Sequence, residues 1–343
     1  MKKSLLPLFT LVLCTFLGLH SCTGNRIPTT KKGIMDSFVA GTLDPSYVPA
    51  AFFIHFGSDE KSGEAAVQAH LRHFESSGMD ILKVQFEQNL PRIPDLDKQQ
   101  TWDGIGPLSE DFYRPTLDII RRLQEEAGGD TYVLPTLYSP YQVARQSLGE
   151  EAIVNAARER PEDLKRVLNY YADALVWLAR ECKAIGIEGF YMCTQGGEAR
   201  FEDIPDWFEG IIRPTDMKVM GECMKDTKVN ILHICDWEGP YNDLTRYRDY
   251  PGQIVNTPIY IDGKPFSVED GVKLFSRPVL GGLDRHKEIV HSSAEELSST
   301  VKAVIEAAPS GKIMLGAECT VGGASAENIR TAVQTAHMGS KRK

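Results

Sequence analysis

Residues 187–195 read Ile187-Glu188-Gly189-Phe190-Tyr191-Met192-Cys193-Thr194-Gln195. The first seven form a short, nearly continuous apolar and aromatic run. It follows an amphipathic stretch over 161–185 that opens Pro161-Glu162-Asp163. Proline suits the first turn of a helix because the N–H it lacks has no intrahelical partner there. Acids suit the same turn because the helix dipole is positive at that end. A run without polar alternation suits a strand covered on both faces, as parallel strands are. The unit is therefore a long helix followed by a buried strand.

The same alternation extends in both directions. Runs of strand character occupy 51–56, 80–86, 131–138, 187–193, 229–235, 254–260, 278–283 and 312–319. Helical patterns lie between or after them at 63–77, 114–126, 161–185, 216–225, 268–275, 294–308 and 326–337. Eight buried strands alternating with helices predict an α/β fold, a single-domain (β/α)8 TIM barrel over 46–338. Pro258 makes the sixth run the least regular, since proline cannot donate to a ladder. There is no internal repeat and no second domain in the pattern.

The ends differ from this body. Lys2 and Lys3 precede an apolar run of about fifteen residues, short for a spanning helix and right for an export signal. Leu19-His20-Ser21-Cys22 then looks like a bacterial lipobox. The expectation is a signal peptide over 1–21, lipidation of Cys22, a polar tether over 22–45 and a polar tail over 339–343. The protein would then be an exported lipoprotein held at the membrane of a cell envelope. A net charge of −9 argues against nucleic acid as a partner, because phosphate binding needs clustered cations. Five cysteines remain after Cys14 and Cys22, an odd number that does not suggest a complete disulfide framework.

A barrel carries its chemistry at the C-terminal ends of its strands. The residues closing the runs are His55, Glu87, Tyr138, Gln195, His233 with Cys235, Asn256, Asp284 and Cys319. Glu87, Asp284 and Glu198 are the candidate acid–base groups. Glu198 also reads as a fourth metal ligand or a solvated loop acid, and Asp284 as a cap of the following loop. His55, Tyr138, Gln195, Trp237 and Asn256 are candidates for substrate binding. Asp236 and Glu238 adjoin His233 and are candidates to orient its ring. Cys193 reads as core packing, and Cys182 and Cys223 as helix-face core residues.

Three motifs resemble the uroporphyrinogen decarboxylase superfamily. They are Val279-Leu280-Gly281-Gly282-Leu283-Asp284, then Gly316-Ala317-Glu318-Cys319, then Ala326-Glu327-Asn328-Ile329-Arg330. The stretches opening at Pro161 and Ile187 are similar to its divergent members, and the resemblance spans roughly residues 48–338. The superfamily holds cofactor-free decarboxylases and zinc-dependent methyltransferases that serve corrinoids and thiols. The decarboxylase branch carries an arginine-rich stretch after its first strand. This chain has His55-Phe56-Gly57-Ser58-Asp59-Glu60 there, with no arginine and two acids. Carboxylate-rich substrates need such cations, so that branch fits poorly.

The methyltransferase branch carries His-x-Cys after its fifth strand and a cysteine after its eighth. Here those positions are His233-Ile234-Cys235 and Cys319. The resemblance implies zinc at these three residues, with a position open for substrate. Alternating residues on a strand share a face, so the His-x-Cys spacing is compatible with one ion. The function this implies is methyl transfer between a corrinoid, or another donor, and a small-molecule thiol. Alternatives are a tetrapyrrole- or corrinoid-binding envelope protein without turnover and a cofactor-free decarboxylase.

Overall fold

The structure is a computed structural model that describes residues 27–93, 96 and 102–339. The expected leader, Cys22 and residues 340–343 lie outside the described residues.

Seven parallel strands form one curled sheet. They are β1 (Ile81–Val84), β2 (Tyr132–Tyr138), β3 (Tyr191–Thr194), β4 (Ile231–Ile234), β5 (Ile254–Asn256), β8 (Val279–Leu283) and β9 (Ile313–Ala317). Their spatial order follows chain order. A small antiparallel hairpin, β6 (Tyr260–Ile261) with β7 (Lys264–Pro265), is inserted after β5. Pro258 ends β5 early, as a residue that cannot donate to a ladder must.

The expected first strand, over 51–56, forms no ladder; the one bridge at this edge, Ala50 to Leu315, falls just before it. The closed eight-stranded barrel is therefore observed as an open, TIM-like sheet with this segment in the gap. Ala51 donates to the Leu315 carbonyl at 2.9 Å, and the Ala50 carbonyl accepts from Asp80 at 2.9 Å. The Ala50 N–H is taken by the buried Asp80 carboxylate at 2.8 Å, and Pro49 has no N–H to offer.

Helices cover the sheet: α2 (Gly63–Ser77), α3 (Glu110–Ala127), α6 (Pro161–Ala184), α7 (Arg213–Cys223), α8 (Val268–Phe275), α10 (Ala294–Ala307) and α11 (Ala326–His337). Their starts follow capping chemistry. Ser267 with Asp270, and Ser293 with Glu296, form reciprocal capping boxes on α8 and α10. Two helices after β2, α4 (Pro140–Leu148) and α5 (Glu150–Glu159), and a short α9 (Glu288–His291) were not expected. No described helix is long and apolar enough to cross a membrane.

Part of the expected tether is folded. Residues Lys31–Val39 form α1, which buries Ile34, Met35 and Phe38. Lys31 Nζ reaches the Gly78 carbonyl at 2.6 Å, and Lys32 N reaches the Asp130 carbonyl at 2.7 Å. Tyr132 bonds to Asp36, and Lys32 pairs with Glu188. All these partners precede or begin strands, so α1 sits under the N-terminal ends of the sheet.

One large apolar core fills the molecule. A separate small cluster of Cys193, Cys235 and Cys319, packed with Tyr138, lies at the opposite ends of the strands.

Candidate metal centre

The register of the parallel sheet builds the centre. Cys193 on β3 stands beside His233 on β4. Cys235 follows β4, where its N–H donates to the Thr194 carbonyl at 3.0 Å. Cys319 arrives from beyond β9. Its Sγ lies 3.5 Å from His233 Nε2, and it is within hydrogen-bonding reach of Cys235. The ligand atoms of Cys193, His233 and Cys235 all lie within 4.8 Å of one another. Four thiol and imidazole groups thus converge. Three of them were expected to; Cys193, read as core packing, is buried beside them.

The surroundings hold these groups in place. The His233 ring lies tilted against Tyr191, with centroids 5.2 Å apart. Its Nδ1 is buried without a hydrogen-bond partner. Gln142 Nε2 donates to Cys193 Sγ at 3.3 Å, and Gln195 Nε2 to Cys235 Sγ at 3.6 Å. The Cys235 thiol is held well above its ordinary range, first by its hydrogen bond with Cys193 and then by burial. Cys319 is raised likewise by its bond with Cys235 and by burial. Thiols in this state keep their protons until a cation arrives to hold the thiolates.

Zinc takes sulfur and neutral imidazole nitrogen, so the donor set fits it. Asp236 and Glu238 do not orient His233 as expected. Asp236 pairs with Arg285 at 2.7 Å and Glu238 with Arg145 at 2.8 Å. Contact with Tyr191 takes the place of a carboxylate in holding the ring.

A cavity of about 220 Å³ opens over the cluster. His55, Tyr138, Gln195 and Trp237 line it, together with all four metal-type residues. Trp237 is 54% exposed and carries the Arg285 guanidinium over its ring at 5.4 Å, which places it at the rim. The other expected site residues are elsewhere. Asn256 is spent on the scaffold: it accepts from Tyr191 Oη at 2.6 Å and donates to the Leu280 and Ala317 carbonyls. Asp284 accepts from the His286 N–H and pairs with Lys287 at 3.0 Å, so the capping alternative holds for it. Glu87 is not among the lining residues. It backs His55 at 3.0 Å; burial acts to raise its pKa, but hydrogen bonds from His55 and Phe56 hold it low.

Glu198 is fully buried but also outside the cavity lining, so it is not a fourth ligand there. Its carboxyl is pushed up to about 7 by desolvation, and it accepts from the Gly196 N–H at 2.6 Å.

Among the lining residues without a functional reading are two cations. Lys83 points an ammonium into the interior from β1, and Arg145 comes from the unexpected α4. Lys83 lay within an apolar run, where a single lysine is the only signal. Ser139-Pro140 before Gln142 was a legible helix start.

No family model matches the chain, and no curated protein matches it. Solved structures do. A methyltransferase from Methanosarcina mazei superposes with a TM-score of 0.69 at 14% identity, over 90% of this chain and 98% of that one. The fold is that of this methyltransferase. A B12-independent methionine synthase from Shewanella sp. W3-18-1 in complex with selenomethionine gives a TM-score of 0.56 at 12% identity, over 85% and 97%. A putative vitamin-B12-independent methionine synthase from Listeria monocytogenes gives 0.51 at 14% identity, over 79% and 84%. At the level of fold, the resemblance read in the sequence is borne out on its methyltransferase side.

Proposed function

We propose that the chain is a zinc-dependent enzyme that transfers a methyl group to or from a thiol. The ring of helices and curled sheet would act as a (β/α)8 barrel, with residues 49–53 in the place of its first strand. The observation that carries the proposal is the cluster of His233, Cys235 and Cys319 beneath the cavity, on a fold shared with methyltransferases. These residues would hold the ion, and when bound it would supply a Lewis acid that lowers the pKa of a substrate thiol.

The chain's own residues then have defined tasks. Tyr138 and Trp237 wall the cavity and confine the substrate, while buried surroundings exclude water from the reacting sulfur. The methyl carbon passes to that sulfur: the S–C bond forms as the carrier's bond to methyl breaks, its electron pair remaining on the carrier. A corrinoid is the carrier we propose. The cavity, at about 220 Å³, is below the usual range of roughly 300–1,000 Å³ for ligand pockets. It suits a small thiol, with a macrocycle lying across the mouth rather than inside. We further propose that lipid on Cys22 holds the protein at the envelope.

The test joins metal analysis to a transfer assay. Purified protein is expected to carry about one zinc, and Cys319→Ser to lose most of it. Methylcobalamin and a small thiol are expected to yield a thioether only with the zinc-loaded protein. Corrinoid binding without methyl transfer would favour the binding-protein reading. A protein that binds neither zinc nor corrinoid would sink both.

A further inference from the structure

The site holds one thiol more than the expected ligand set and, on its inner wall, a cation with no carboxylate in contact among the described residues. Lys83 is buried, donates to Gln85 Oε1 at 2.6 Å, and lies over the rings of Phe53 and Tyr191 at 4.9 and 4.5 Å. A buried ammonium is costly unless an anion answers it. Lys83 lines the same cavity as Cys193, His233, Cys235 and Cys319. Burial lowers its pKa to about 8.

The thiols pose the complementary problem. Zinc with two thiolates and a neutral imidazole is electrically neutral. A third thiolate leaves one negative charge in a buried site. Cys193 is placed to be that third donor by the strand register, by its distance to His233 and Cys235, and by the Gln142 amide aimed at its sulfur. An N–H directed at a ligand sulfur is the kind of supporting contact that metal sites use. Core packing explains neither that amide nor the neighbouring lysine.

We propose that Cys193 is a third sulfur ligand, joining Cys235, Cys319 and His233, and that Lys83 carries the charge balancing it. The inference rests on the zinc reading above and adds two residues to it. Cys193, Cys235, Cys319 and His233 would together hold the ion, which would supply the charge that favours a substrate thiolate. Lys83 would act on the ion only through charge, making it a positioning residue rather than a catalytic one.

Cobalt(II) alone, added to the purified full-length protein, is the probe, because sulfur-to-cobalt absorption counts the thiolates bound. Cys193→Ser and Cys193→Ala are each expected to lose about one third of that intensity at saturation, one sulfur of three. Lys83→Met is expected to keep the full intensity but weaken cobalt affinity by about 10–100-fold, as for other supporting residues of metal sites, and Lys83→Arg to restore it. Unchanged intensity in both Cys193 variants overturns the third-ligand assignment. Wild-type affinity in Lys83→Met overturns the charge balance. Wild-type protein without any sulfur-to-cobalt band overturns the zinc reading itself, which separates the two failures.

Discussion

Asn256 joins three strands through one side chain. It takes the Tyr191 hydroxyl from β3 and supplies N–H groups to carbonyls of β8 and β9. Asn256→Ala would leave those buried groups unpaired, at a cost of about 2–4 kcal/mol. A urea titration is expected to show that loss, and a midpoint within error of wild type would refute it. The sequence placed Asn256 at a strand end and offered it as a candidate for substrate binding. Strand ends of a barrel serve both substrate and scaffold, and only the neighbours decide which. Cys193 was hidden for a related reason: its partner His233 lies 40 residues away in the chain and adjacent only through sheet register.

At the scale of elements, helix patterns were legible because helical periodicity is local. The boundaries of α8 and α11 agree with the expected spans, and those of α6 and α10 nearly so. The 51–56 run forms no ladder, and just before it the buried Asp80 side chain takes the Ala50 N–H, a tertiary event invisible to pattern. A second buried acid ties elements together and gives a pH test. Asp216 on α7 accepts from Thr194 on β3 at 2.7 Å and from Tyr250 at 3.2 Å. Desolvation raises its pKa from 3.8 to about 7. The folded chain thus holds this proton where the unfolded chain has lost it. The stability Asp216 contributes is full below about pH 3.8 and is lost as pH rises toward 7. Compared with Asp216→Asn, wild-type protein is expected to lose relative stability across that window. Denaturation midpoints for the pair that stay parallel from pH 4 to 7 would contradict this.

On the scale of the whole molecule, α1 completes the apolar core from below. Phe38 is 2% exposed, so Phe38→Ala is expected to cost about 3–5 kcal/mol, read as a lower urea midpoint. A cost under about 1 kcal/mol would mean that the helix is only loosely docked. The proposed lipid anchor has its own test. Cys22→Ala is expected to move the protein from the membrane fraction to the soluble one, and retention after a high-salt wash would rule that anchor out.

Because α1 is seated beneath the starts of the strands, the chain enters the fold on one pole and presents its thiols at the other. From Cys22 to Thr30 the chain spans at most about 30 Å, roughly a domain's width. An anchor at that end would therefore attach at the pole opposite the opening. Water-borne reactants could then reach the thiols from the side away from the anchor.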